Sequence, residues 1–126
     1  MELDYIDNFN AYGDNIIRLY NFDRKESVKF YEILFQQIIV NKTELKLSSI
    51  DFIQARNCSL TMQISDIDEG ITSTDDKSFI CRLTKGGYEK MLQLLLPFCE
   101  KETKGFQYLY DIDSLTDFLF TPSGSW

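Results

Sequence analysis

The sequence predicts a single α+β domain: a mainly antiparallel sheet with two amphipathic helices on one face, in the order β-α-β-β-β-α-β. Apolar and polar residues alternate along Cys58–Ser65 and, with one exception, along Ser78–Thr84. This period of two is typical of a strand with one buried face, and the polar interval between the runs predicts an antiparallel hairpin. Apolar residues also recur at helical spacing along Val28–Ile39 and along Tyr88–Cys99. These two stretches predict the helices that cover the hairpin.

The chain begins with an acidic segment, predicted as an N-terminal arm (1–14) before the domain (15–126). The segment has four acidic residues and no basic one, and it is either a loose arm or a segment that docks its aromatic rings on the domain. The β-branched and aromatic content of Asn15–Phe22, with apolar residues on both faces, predicts an interior strand. Asp23 is predicted to cap the first helix, because Glu26 follows at capping-box spacing.

The apolar arc of the first helix is predicted to contain Val28, Tyr31, Leu34, Phe35, Ile38 and Ile39.

The second half of the chain predicts a helix and a last strand. Residues 45–53 supply one strand or two short ones. Thr84 is predicted to cap the second helix. Pro97 lies inside this helix and has no amide hydrogen, so we expect a kink or an early end near residues 93–96. Thr116–Thr121 is predicted to be the last strand.

Composition restricts the partners of this chain. It has 126 residues, 13 of them basic and 20 acidic, for a net charge of −7. An acidic protein is repelled by polyanions and by anionic membrane surfaces, so we expect neither a nucleic-acid nor a membrane partner. The sequence begins without a signal-peptide pattern, and its three cysteines are an odd number. A cytoplasmic location is therefore expected.

The absence of histidine is the most informative functional feature. It removes Ser–His and Cys–His nucleophilic catalysis and the commonest zinc ligand sets. Cys58, Cys81 and Cys99 form no C-x-x-C pair and fall on predicted apolar faces, where a free cysteine behaves as a small hydrophobic residue. We therefore expect no catalytic residue, no cofactor and no metal site.

Acidic and aromatic residues provide the candidate partner surface. Acidic residues crowd the interval between the two alternating runs, and Asp111, Asp113 and Asp117 follow later. Tyrosine and tryptophan are enriched at the centres of protein interfaces. The residues predicted to form the surface are Asp66, Asp68, Glu69, Asp75, Asp76, Tyr108, Tyr110 and Trp126.

Three functional hypotheses follow. The first is a non-catalytic acidic interaction domain that binds a protein partner, such as a basic protein that it inhibits or neutralises, or a second copy of itself. The alternative is a small-molecule-binding domain with an aromatic-lined pocket between sheet and helices. A carboxylate-based enzyme is the least favoured hypothesis, because no catalytic motif accompanies the carboxylates.

Overall fold

The computed structural model of this chain describes residues 1–8, 11–112 and 116–123. Its elements, in chain order, are β1 (Glu2–Ile6), β2 (Asn15–Tyr20), α1 (Arg24–Leu34), a π-helix (Phe35–Val40), β3 (Leu45–Lys46), a 3₁₀ helix (Leu47–Ser49), β4 (Gln54–Ala55), β5 (Ser59–Ile64), β6 (Gly70–Thr72), β7 (Ser78–Leu83), α2 (Lys85–Glu100), β8 (Gln107–Tyr110) and β9 (Thr116–Thr121). The predicted α+β class is confirmed, and the last strand has the predicted bounds.

The described strands form two mixed sheets rather than one sheet. The first has the order β4-β1-β2-β9-β8, and the second has the order β3-β5-β7-β6. In the first sheet β2 pairs with β1 antiparallel and with β9 parallel. The strand β2 is therefore interior, as predicted, and both Ile16 and Ile17 are fully buried although they point to opposite faces.

The predicted antiparallel hairpin between the two alternating runs is wrong. The strands β5 and β7 pair in parallel, Leu60 opposite Phe79 and Met62 opposite Cys81. After β5 the chain crosses the carboxyl end of β7 and returns as β6. The strand β6 pairs antiparallel with β7, along the edge of β7 that faces away from β5. Alternation correctly predicted the buried face, since Leu60 and Met62 are fully buried, but Ile64 at the end of β5 is 37% exposed.

The N-terminal segment docks on the domain. Residues Glu2–Ile6 form β1, and Leu3 is fully buried in the core. The ring of Tyr5 lies 4.6 Å from that of Phe79 in the second sheet. The side chain of Arg18 on β2 donates two hydrogen bonds, of 2.7 and 2.9 Å, to the Asp4 carboxylate. Residues 1–8 therefore dock on the domain and do not form a loose arm.

Both predicted helix caps are confirmed. Asp23 accepts a hydrogen bond from the amide of Glu26 at 2.9 Å, and Thr84 accepts one from the amide of Gly87 at 3.1 Å. The prediction that the second helix ends early is wrong, because α2 continues past Pro97 to its last residue, Glu100. A proline removes one backbone hydrogen bond, whereas the buried side of α2 packs along its length on the core.

The two sheets and the two helices share one hydrophobic core. An aromatic cluster connects the first sheet with α2. The ring centroid of Phe120 on β9 lies 4.1 Å from that of Phe22 and 5.0 Å from that of Phe98 on α2. Buried aromatic rings contribute large apolar areas, so this cluster holds α2 beside the end of the sheet where β9 and β8 lie.

Candidate functional site

The acidic interval between β5 and β7 is divided between the two ends of β7. Near the carboxyl end of β7, the amide of Glu69 donates to the carbonyl of Arg82 at 2.9 Å. Near its amino end, the hydroxyl of Ser73 donates to the carbonyl of Ser78 at 2.7 Å. A strand of six residues is about 17–20 Å long. The predicted acidic residues therefore form two groups, one at 66–69 and one at 75–76.

Asp68 holds the start of α2. Its Oδ1 atom accepts hydrogen bonds from the amide of Thr84 at 2.7 Å and from the Thr84 hydroxyl at 2.9 Å. The adjoining position is a glycine for a steric reason: a Cβ at Gly87 would lie only 2.8 Å from the same oxygen. A carboxylate beside a helix N-terminus also interacts favourably with the helix dipole.

Asp75 and Asp76 shape the turn between β6 and β7. Asp75 Oδ1 accepts hydrogen bonds from the amides of Ser78 at 2.9 Å and Lys77 at 3.0 Å, and these bonds lower the pKa of the Asp75 carboxyl. Asp76 adopts a left-handed backbone conformation with φ of 56°. Both residues therefore act in the local structure of the turn, at the opposite end of β7 from Asp68.

A groove runs between α2 and β8, the strand at one edge of the first sheet. It encloses about 80 Å³. Its lining residues come from the loop before β6, from α2, and from β8 with the two residues after it: Asp68, Gly87, Lys90, Leu94, Tyr108, Leu109, Tyr110, Asp111 and Ile112. Three residues of the predicted partner surface thus line one groove: Asp68, Tyr108 and Tyr110. Asp68 is about 40 positions before the two tyrosines in the sequence.

Three carboxylates lie near Tyr108. Burial, with smaller contributions from the charges of Asp111 and Asp14, raises the pKa of Asp117 to about 6. Burial together with the charges of Asp117, Asp111 and Asp14 also raises the pKa of the Tyr108 hydroxyl. The three carboxylates therefore give Tyr108 a negatively charged environment, and Asp111 belongs both to this cluster and to the groove.

The groove also contains residues that the sequence did not indicate. Ile112 is 53% exposed, and Lys90 and Leu94 contribute from α2. Asp66 and Glu69 do not line the groove, and Glu69 accepts a hydrogen bond from the hydroxyl of Ser65 at 3.1 Å. The remaining predicted residue, Trp126, lies outside the described residues.

The small-molecule hypothesis expected an aromatic pocket between sheet and helices. Among the described residues, the nearest counterpart is a cavity of about 200 Å³ between the two helices, which is smaller than the ~300–1,000 Å³ typical of ligand pockets. Its lining includes Tyr31 and Phe35. The hypothesis of a pocket in this place stays a prediction.

The cysteines are free thiols, and two of them are buried as predicted. Burial raises the pKa of both Cys58 and Cys81 to about 12, so both thiols are protonated at neutral pH. Cys99 is half-buried, and burial raises its pKa as well. These environments oppose formation of the thiolate, which is the nucleophilic form of cysteine.

Over the part of the chain that the structure describes, no three acidic or cysteine side chains are grouped so that they could hold a metal ion. Within the same residues, none of the helices is both long and apolar enough to cross a membrane. No protein-family model matches the chain, and no curated protein sequence matches it.

Proposed function

We propose that this chain is a protein-interaction domain that binds a basic segment of a partner protein in the groove between α2 and β8. One observation carries the proposal: Asp68, Tyr108 and Tyr110 line the same groove together with Asp111 and the exposed Ile112. Aromatic and aliphatic side chains at the centre with charged residues around them are the usual anatomy of a protein interface.

The charge of the groove favours a basic partner. Asp68 and Asp111 are among its lining residues, the carboxylates of Asp14 and Asp117 act on Tyr108 beside it, and Lys90 is the basic residue in the lining. Electrostatic complementarity mainly raises the association rate and selects among partners. Because exposed charges are screened beyond about 10 Å at 0.1 M salt, the interaction should weaken as ionic strength rises.

A second copy of this chain is a less suitable occupant of the groove. A symmetric dimer through this surface would bring two copies of the same acidic patch together, and like charges in contact oppose association. A neutralising or inhibitory role toward a basic protein is therefore the form of the hypothesis that we favour. The three free cysteines favour a reducing compartment such as the cytoplasm for this encounter.

Two matched double variants test the proposal. Asp111→Asn/Ile112→Ser changes the groove. Asp51→Asn/Val40→Ser removes the same charge and one exposed aliphatic side chain elsewhere, since Asp51 precedes β4 at the opposite edge of the first sheet and Val40 ends the π-helix. Proteins captured from source-cell extract by the wild type are identified, purified and titrated against each variant by calorimetry at 50 and 300 mM salt.

The groove variant should weaken binding of the true partner at least about tenfold, as expected for removing a central interface contact. The control should bind within about twofold of the wild type. Equal affinity of the two variants, or affinity that does not change with salt, would contradict the proposed site and its charge selectivity. Capture of the chain's own copies alone, with a dimeric mass by light scattering, would support self-association instead.

A further inference from the structure

We infer that the outer face of the second sheet binds a small organic anion, namely a phosphate ester or a carboxylate of a polyol. The charged group of this ligand would bind the Arg82 guanidinium. This site is separate from the groove between α2 and β8. The outward-facing residues of β7 are Ser78, Ile80 and Arg82, since Phe79, Cys81 and Leu83 point into the core. Thr72 on β6 lies opposite Ile80, so its side chain is on the same outer face.

These residues line a hollow of about 350 Å³, which falls within the range typical of small-molecule sites. The hollow is bounded by β6, the turn after it and β7, and its lining residues are Thr72, Ser73, Thr74, Ser78, Ile80 and Arg82. One apolar side chain, several hydroxyl groups and one guanidinium group suit a ligand that combines a carbon skeleton, hydroxyl groups and a negative charge.

Arg82 is held in place but keeps donors for a ligand. Its Nε donates to the side-chain oxygen of Gln63 at 3.2 Å, and the Gln63 nitrogen donates to the Glu44 carboxylate at 3.1 Å. Glu44 therefore fixes which end of the Gln63 amide faces Arg82. Within residues 1–8, 11–112 and 116–123 the two terminal nitrogens of Arg82 have no hydrogen-bond or ion-pair partner.

This arrangement differs from that of two other arginines in this acidic chain. Arg18 and Arg56 form salt bridges with Asp4 and Glu2. The partner of Arg82, by contrast, is a neutral amide, so its positive charge is not neutralised by a direct contact with a described carboxylate. A planar guanidinium with free terminal nitrogens matches the geometry of a phosphate or carboxylate and binds it through two parallel hydrogen bonds.

The hydroxyl groups divide into one structural group and three that remain for a ligand. The Ser73 hydroxyl donates to the Ser78 carbonyl and accepts from the amide of Asp76 at 3.0 Å, so it belongs to the turn. The hydroxyl groups of Thr72, Thr74 and Ser78 bond to no side chain or backbone group in the described part of the chain. They can therefore donate to, or accept from, the hydroxyl groups of a ligand.

NMR titration of the ¹⁵N-labelled full chain with glucose 6-phosphate, gluconate, inorganic phosphate and glucose tests the inference. We expect saturable shifts of the Arg82 Nε–H resonance and of the amides of residues 72–74 with the anionic sugars. Inorganic phosphate, which cannot contact the hydroxyl groups and Ile80 together, should bind more weakly than glucose 6-phosphate. Neutral glucose should give no saturable shift. Comparing glucose 6-phosphate with gluconate shows whether the site prefers phosphate or carboxylate.

Arg82→Gln should weaken binding at least about tenfold, because it removes a charge-assisted bidentate contact. Lys104→Gln removes the same charge from an exposed position outside the hollow and should leave affinity within about twofold. Gln63→Leu should weaken binding several-fold with the fold unchanged. Shifts that do not saturate, or that are lost equally in the Arg82 and Lys104 variants, would overturn the inference and indicate non-specific charge attraction on a hydrated sheet face.

Discussion

Replacing Gly87 with alanine tests how tightly Asp68 is held against the start of α2. The new Cβ would lie 2.8 Å from Asp68 Oδ1 and 3.0 Å from the Leu83 Cβ, so the carboxylate must move away from Thr84. Loss of its two hydrogen bonds should cost about 1–2 kcal/mol. The gain in helix propensity offsets about 0.5–1 kcal/mol of this cost. We expect a net loss in the free energy of unfolding of about 1 kcal/mol.

The neighbouring glycine provides the control. A Cβ at Gly86 would meet the Thr84 hydroxyl at 3.8 Å, which is an ordinary contact. Gly86→Ala should therefore gain the propensity term alone and stabilise the protein by about 0.5–1 kcal/mol. Urea unfolding followed by circular dichroism measures both changes from the midpoint and the slope. The two substitutions differ by one position and should have opposite signs.

A double-mutant cycle identifies the atom responsible. Asp68→Ala removes the oxygen that the new Cβ would meet, so the cost of Gly87→Ala should be smaller in that background. The expected coupling energy is about 1 kcal/mol, larger than the ~0.3–0.5 kcal/mol scatter of independent sites. If Gly87→Ala were as stabilising as Gly86→Ala, or if the cycle were additive, the close approach of Asp68 to α2 would be refuted.

Four further predictions concern single side chains. Tyr88→Phe removes a buried hydroxyl that lies 2.7 and 2.9 Å from carbonyl oxygens of β5 and β7, and should cost about 1–2 kcal/mol in urea unfolding, whereas Tyr31→Phe should cost almost nothing. Because burial raises the folded-state pKa of Asp117 to about 6, stability should fall as pH rises from 3.8 to about 6, and Asp117→Asn should remove this fall and stabilise the protein at pH 7. The pH dependence has the opposite sign for Asp75, whose pKa is lowered by hydrogen bonds. The free energy of unfolding should decrease as pH falls through that lowered pKa, and unfolding curves of Asp75→Asn below pH 4 should not show this decrease. A thiol reagent at neutral pH should label Cys99 before the other two cysteines, and protection of Cys99 equal to theirs, by mass spectrometry, would contradict its half-buried position.

The faces of the strands could be predicted from the sequence, but their directions could not. The alternation around Leu60 and Met62 requires only that one face is buried, and the period of two is the same in parallel and antiparallel pairs. The direction depends on the path of the connection, which includes the short strand β6. Three residues carry too little periodicity to be recognised as a strand.

Local rules succeeded where the interaction is local. The caps at Asp23 and Thr84 depend on residues three positions away, and both are present. Phe35 shows the limit of such rules: helical spacing predicted it in the apolar arc, yet it is 44% exposed. The structure continues α1 as a π-helix from this residue, and the wider turn changes which side chains face the core.

Some residues of the groove could be selected from the sequence, but the assembly of the groove could not be predicted. Asp68 is predicted for its charge, and Tyr108 and Tyr110 because tyrosine is enriched at interface centres; all three line the groove, and their part in binding stays a prediction. Their proximity depends on long-range packing of α2 against the end of the first sheet, which a single sequence does not encode in a local pattern. The same limitation applies to Asp75, which stabilises a turn at the other end of β7.

Asp68 has one structural role and one proposed role in binding, which a pair of substitutions can separate. As a hydrogen-bond acceptor it fixes the start of α2, and as a charge it contributes to the proposed attraction of a basic partner. Asparagine retains an oxygen acceptor for the amide and hydroxyl of Thr84, whereas alanine provides neither acceptor nor charge. The free energy of unfolding of Asp68→Asn should therefore lie within about 0.5 kcal/mol of the wild-type value, whereas its affinity for the partner at low salt should be lower. Asp68→Ala should lose both stability and affinity. If asparagine preserved the affinity as well as the stability, the charge of Asp68 would have no part in recognition, and its place in the groove would follow from its hydrogen bonds to Thr84 alone.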